Sequence, residues 1–111
     1  MKAKIAHPCG RIVEQLRGAV AEAYGQRLRG IVLYGSWARG EATEESDIDV
    51  LVVLEDPLAY DDELRRLSAI ATSLTIEYGV YVSAQPISAH DFEERSEPFL
   101  MNVRREGVRV A

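Results

Sequence analysis

Residues 47–54 read Asp-Ile-Asp-Val-Leu-Val-Val-Leu, an apolar run that opens on two acids separated by one isoleucine. A short Val/Ile/Leu run of this kind predicts a strand. Side chains alternate across a strand, so Asp47 and Asp49 share one face and Ile48 takes the other. The chain must therefore fold so that one face of this strand tolerates two neighbouring charges while the other is buried. Adjacent carboxylates raise each other's pKa unless a cation sits between them. Hard oxygen donors in this pattern suit Mg²⁺, which is held by one or two carboxylates together with phosphate oxygens. A strand start that merely carries two solvated acids is the plainer alternative, and a second signal upstream weighs against it.

That signal begins at residues 30–34, Gly-Ile-Val-Leu-Tyr, a continuous apolar run that predicts a buried strand. Gly35 permits a tight turn, and Ser36 suits the N-cap of a short helix running to Arg39. A helix start offers free N–H groups and the positive end of a dipole, a seat for phosphate, to which Ser36 adds a hydroxyl donor. Arg39 either reaches a phosphate or pairs with Glu41 or Glu44. Trp37 is better read as anchoring its loop to the core than as touching a ligand. From Gly40 to Leu64 there are ten acidic residues and no Lys or Arg. Most belong to a solvated loop and an exposed helix face. Such negative charge repels a bare triphosphate, so binding is expected to require the metal.

At 111 residues and 47% hydrophobic content, the chain is expected to form one domain, residues 1–111, with residues 1–9 a loose lead-in. No apolar run reaches the ~20 residues needed to span a bilayer, and no signal-peptide pattern opens the chain. Cys9 has no second cysteine to pair with, which points to the cytoplasm, and no motif organises it as a nucleophile. The net charge of −5, with no basic stripe, argues against a nucleic-acid surface. Arg104 and Arg105 are read as suiting the dipole at the end of the last helix. His7 and His90 lie outside any ligand spacing.

Along the chain, Ile12, Val13, Leu16, Ala19, Val20 and Ala23 recur at helical spacing over residues 11–24, with Gly25 as a stop. The two strands and the short helix follow. Pro57 precedes a long helix over residues 60–78, ended by Gly79, with Leu64, Leu67, Ile70, Ala71, Leu74 and Tyr78 on its apolar face. A strand over residues 80–87 leads to a short helix that Ser88 and Asp91 are placed to cap. Pro98 starts a final helix that Gly107 ends. Strands alternating with helices predict an α/β (α+β) fold in which helices cover a small mixed β-sheet.

Gly35-Ser36, ten residues, then Asp47-Ile48-Asp49 resembles the signature of the DNA polymerase β-like nucleotidyltransferase superfamily. Within it, the chain is similar to the minimal nucleotidyltransferases, which are small standalone domains. The match is strong over residues 30–54 and looser elsewhere, including the segment from Pro98 to Val108. The resemblance implies Mg²⁺-dependent transfer of a nucleoside monophosphate, most plausibly AMP from ATP, to an acceptor hydroxyl. It implies that Gly35 and Ser36 hold the terminal phosphates and that Asp47 and Asp49 ligate the metal. Chemistry of this kind is in-line displacement with charge neutralised on the attacking and leaving oxygens.

One feature departs from that pattern. Active members usually carry a third carboxylate on a later strand, and residues 80–87 here contain no acid. Alternation puts Ser83 and Gln85 on one face, so one of them is expected at that position; Glu77 and Asp91 flank the strand. The leading expectation is a nucleotidyltransferase whose acceptor is a hydroxyl on a protein partner. The resemblance implies a small helical HEPN-type partner, with this chain as the antitoxin of a toxin pair; a site completed across a homo-oligomer is the other arrangement. The alternatives are a catalytically degenerate module that binds nucleotide or partner, and a small-molecule (antibiotic) nucleotidyltransferase.

Overall fold

The protein is described over residues 9–43 and 46–111 by a computed structural model. The expected lead-in, with His7, otherwise lies outside the described residues. Cys9 itself departs from it: it is the first residue of helix α1 (Cys9–Tyr24) and is buried. After a 3₁₀ turn at Gly25–Arg27 come strand β1 (Leu28–Tyr34), helix α2 (Ser36–Arg39), strand β2 (Ile48–Leu54) and helix α3 (Tyr60–Tyr78). Strand β3 (Val82–Ser88), helices α4 (Ala89–Glu94) and α5 (Pro98–Glu106), and strand β4 (Val108–Arg109) complete the chain.

The strands form one sheet in the order β3-β2-β1-β4. β1 runs antiparallel to β2 and β4, whereas β2 and β3 are parallel. The mixed sheet expected from the sequence is present, with β3 at one edge and β4 at the other. β4 was not foreseen. Its two residues are exposed and carry no alternation, and the pairing depends on the chain folding back after α5 to lie beside Val32 and Leu33.

The two faces of the sheet carry separate apolar clusters. On one, Ile12, Leu16 and Val20 of α1 and Leu67 of α3 close over Ile31, Ile48, Val50, Val52 and Leu54, all with no exposure. Each such side chain contributes about 1.5–3 kcal/mol on leaving water, so this layer supplies most of the drive to fold. On the other, Phe92 of α4 and Leu100 and Val103 of α5 cover Val32, Leu51, Val53 and Ile87. Gly107 ends α5 with ordinary φ; its role is clearance, since a Cβ there would stand 2.5 Å from the Val103 carbonyl oxygen and 2.6 Å from Val32 Cγ1. Arg104 does more than complement its own helix end. Its guanidinium donates to the carbonyl oxygens of Phe92 and Arg95, tying α5 to the end of α4.

Candidate active site

The site lies at one end of the sheet, where β1 finishes and β2 begins. β2 starts at Ile48, so Asp47 immediately precedes it and Asp49 is its second residue. The alternation rule holds: Ile48, Val50, Val52 and Leu54 enter the cluster under α1 and α3, while Leu51 and Val53 enter the other. Asp49 shares the side of Leu51 and Val53. Asp47 is exposed and Asp49 half-buried. Burial first, and then the negative charge of Asp47, push the Asp49 carboxyl above the ordinary carboxylate range. Among the described residues no cation offsets this coupling, and a bound cation would relieve the repulsive pair.

Gly35 meets this pair directly. Its φ of 82° and ψ of −155° fall where only glycine sits without strain, and a Cβ would lie 3.3 Å from Asp49 Oδ2. The turn after β1 therefore brings backbone up against the carboxylate because no side chain intervenes. Ser36 was expected as the N-cap of α2, but Gly35 takes that position and Ser36 is the first helical residue. The reason is the turn itself: the non-helical backbone angles fall on Gly35, leaving Ser36 inside the helix. Gly40 closes α2 in the left-handed region, and its N–H meets the Trp37 carbonyl oxygen at 3.4 Å.

Arg39 is exposed and its Nε donates to Glu41 Oε1 at 2.9 Å, so the acid-pairing reading describes this conformation. Glu44, its other expected partner, lies outside the described residues. Trp37 packs partly buried against the core, and its indole N–H donates to the Ser46 carbonyl oxygen at 3.4 Å. It ties α2 to the approach of β2, the anchoring role expected of it.

The register between β2 and β3 resolves an ambiguity that alternation left open. Asp49 lies opposite Ser83, whereas Gln85 lies one step further along, opposite Leu51. Ser83 is thus the β3 neighbour of the half-buried carboxylate. Glu77 lines a cleft between α1 and α3 with Gln15, Ala19 and Ile70, so it does not join Asp49. Asp91 lies in the first turn of α4, where its N–H meets Ser88 Oγ at 3.1 Å as the expected cap, and its carboxylate faces Arg95 at 3.7 Å. Among the described residues, no three acids, histidines or cysteines cluster as a metal cage.

Two neighbours were missed. Tyr34 ends β1 directly across from Asp49, and burial, with the Asp49 charge second, pushes its hydroxyl up to about 12. Its ring meets Phe99 of α5 edge-on at 5.3 Å. Tyr60, the first residue of α3, donates its hydroxyl to Gln85 Oε1 at 3.2 Å. Tyr34 adjoins the Gly-Ser turn and could have been suspected from alternation. Tyr60 is distant in sequence and carries no such signal.

Comparison with known proteins follows the same residues. The family model described as "Nucleotidyltransferase domain" matches residues 13–99. A protein of Methanocaldococcus jannaschii named "Putative protein adenylyltransferase MJ0604" is 35% identical over 98 residues, 87% of this chain and 92% of that protein. A solved structure described as a toxin-antitoxin with AMP-PNP superposes with a TM-score of 0.61 at 20% identity, over 88% of this chain and 72% of that one. Another, described as a "putative minimal nucleotidyltransferase", gives a TM-score of 0.55 at 25% identity, over 90% of each chain.

Proposed function

The chain belongs to the nucleotidyltransferase family, and from that premise we propose that it transfers AMP from ATP to a hydroxyl on a protein partner, with Mg²⁺. One observation carries this reading: the glycine turn that closes on Asp49, with Asp47 beside it, joins a phosphate seat and a carboxylate pair at one end of the sheet. The donor set fits Mg²⁺, since two carboxylates with substrate phosphates are a common way of holding that ion. Bound there, the metal would neutralise charge on the phosphate oxygens during displacement. The backbone N–H groups of Gly35 and Ser36 and the Ser36 hydroxyl receive the terminal phosphates. Asp47 and Asp49 are the residues that would hold the ion. The acceptor oxygen attacks the α-phosphorus, the bond to the bridging oxygen breaks, and pyrophosphate leaves. Arg39 reaches a phosphate by exchanging its exposed pair with Glu41, which costs little because such pairs are worth about 0–1 kcal/mol.

The protein acceptor is supported by the name of the M. jannaschii relative, and the partner by the toxin-antitoxin neighbour with AMP-PNP. We read the partner as a small helical HEPN-type toxin, with this chain as its antitoxin. Labelled ATP, Mg²⁺ and the purified partner test this: label on the partner, lost with Asp47→Asn/Asp49→Asn, is the expected outcome. A partner that binds and is never labelled would defeat it.

A second reading has its own observation. Ser83, not an acid, faces Asp49 across β2 and β3. A hydroxyl is a poor base, so a module that binds nucleotide without transferring it is the competing function. Binding of ATP with no transfer by the wild type, and transfer restored by Ser83→Asp, would favour it.

A further inference from the structure

One strand step below Asp49, on the same sheet face, a cleft of about 500 Å³ opens between the sheet and the ends of α3, α4 and α5. Its lining combines apolar Leu51, Leu58, Ile87 and Leu100 with the Gln85 amide, the Ser88 hydroxyl and the charged Asp91, Arg95 and Glu97, whose charges pair with one another. Tyr34 and the half-exposed Phe99 line the side nearest the carboxylates, and Gln85 rises from β3 beside Leu51.

This cleft continues the site described above, and the inference rests on the proposed nucleotide reading. With the terminal phosphates at Gly35 and Ser36, at the end of β1, and the α-phosphate at Asp47 and Asp49, the nucleoside must leave the α-phosphate away from the phosphate seat. Across the sheet that direction is toward β3; along the strands it is toward Leu51 and Gln85. A nucleoside suits the cleft in size and in its aromatic lining, where a planar base can meet the Phe99 and Tyr34 rings.

Gln85 is the amide among the groups lining the cleft, and one half of it is committed. Its oxygen accepts the Tyr60 hydroxyl at 3.2 Å, which leaves the NH₂ as the group offered to a ligand. A fixed donor distinguishes bases. Adenine presents a bare ring-nitrogen acceptor at N1, where guanine carries N–H. A site built around a directed hydrogen bond rejects the ligand that leaves it unpaired.

We propose that Gln85, held by Tyr60, is the residue that selects the nucleobase, donating its amide N–H to N1 of adenine. Tyr60 acts as a positioning residue: its hydroxyl bond fixes which end of the amide faces the cleft.

The test is calorimetric titration, with Mg²⁺, of AMP-PNP, GMP-PNP and tripolyphosphate into the wild type, Gln85→Met and Tyr60→Phe. The wild type is expected to prefer AMP-PNP to both other ligands. Gln85→Met should reduce the AMP-PNP to GMP-PNP preference by about three- to tenfold, the worth of one hydrogen bond, and leave tripolyphosphate affinity unchanged. Tyr60→Phe should reduce the preference by a smaller factor in the same direction. The unchanged tripolyphosphate affinity shows that a variant is folded. Equal affinity of the wild type for AMP-PNP and tripolyphosphate would overturn the proposal, as would an unaltered base preference in both variants. So would variants that keep nucleotide affinity but lose transfer to the partner, because the cleft would then hold the acceptor. Those three results leave the triphosphate site standing, whereas failure of all three ligands to bind the wild type would remove the nucleotide reading itself.

Discussion

Strand β2 serves both faces of its sheet, and the two faces are finished differently. Under α1 and α3 its even-numbered residues, Ile48, Val50, Val52 and Leu54, are wholly buried among aliphatic side chains. On the other face α4 and α5 cover Leu51 and Val53 but stop short of Asp49, which stays half-buried beside Tyr34, Ser83 and the cleft. One face is closed and supplies stability; the other is left open at one end, and the repelling carboxylates stand there. The contrast teaches that a domain this small can keep a costly charged pair only because an independent layer supports the strand that bears it.

The largest expected effect breaks the open face alone. Asp47→Asn/Asp49→Asn should lower nucleotidyl transfer by about 10³-fold or more, the scale of several kcal/mol of charge stabilisation, in a labelled-ATP assay. Thermal unfolding of that variant without nucleotide should stay level or rise, since a repulsion has been removed. The closed face should respond in the opposite sense. Leu16→Ala should cost about 2–5 kcal/mol in denaturant unfolding, while the fraction still folded keeps its nucleotide affinity. A joint loss at either face would mean that the two are not separable.

Gly35→Ala probes the junction. The added Cβ meets the positive φ and Asp49 Oδ2 together, so unfolding measurements should show a loss of about 1–3 kcal/mol, with weakened nucleotide binding by calorimetry. The smallest change expected is a gain: Ser83→Asp should raise transfer by about tenfold, below the roughly 10²–10⁴-fold that a fully positioned base supplies. Gln85→Asp, one step further from Asp49, should not.

Much of this division was legible in the sequence. The end of the short helix at Arg39 and the bounds Tyr60–Tyr78 were expected, the latter because Gly79 stops its helix, which it does in the left-handed region. The facing of Asp49 against Ile48 followed from strand alternation alone. What alternation could not supply is register: Ser83 and Gln85 share a face, and only the parallel pairing of β2 with β3 selects Ser83 as the neighbour of Asp49. Glu77 illustrates the same gap, since its position beside the strand in sequence says nothing of its turning into the α1–α3 cleft. β4 and the Tyr60–Gln85 bond depend on long-range docking and leave no local pattern. The family resemblance agreed with the matched family model, while the roles of Gly35, Ser36, Arg39, Asp47 and Asp49 stand as proposals.

Among the described residues no helix is long and apolar enough to cross a membrane. One measurement addresses the open end of the sheet most directly: calorimetric titration of ATP with and without Mg²⁺ into the wild type and Asp47→Asn/Asp49→Asn. The account predicts binding that needs Mg²⁺ and disappears in the double variant. Binding that persists without the metal, or survives both substitutions, would contradict it.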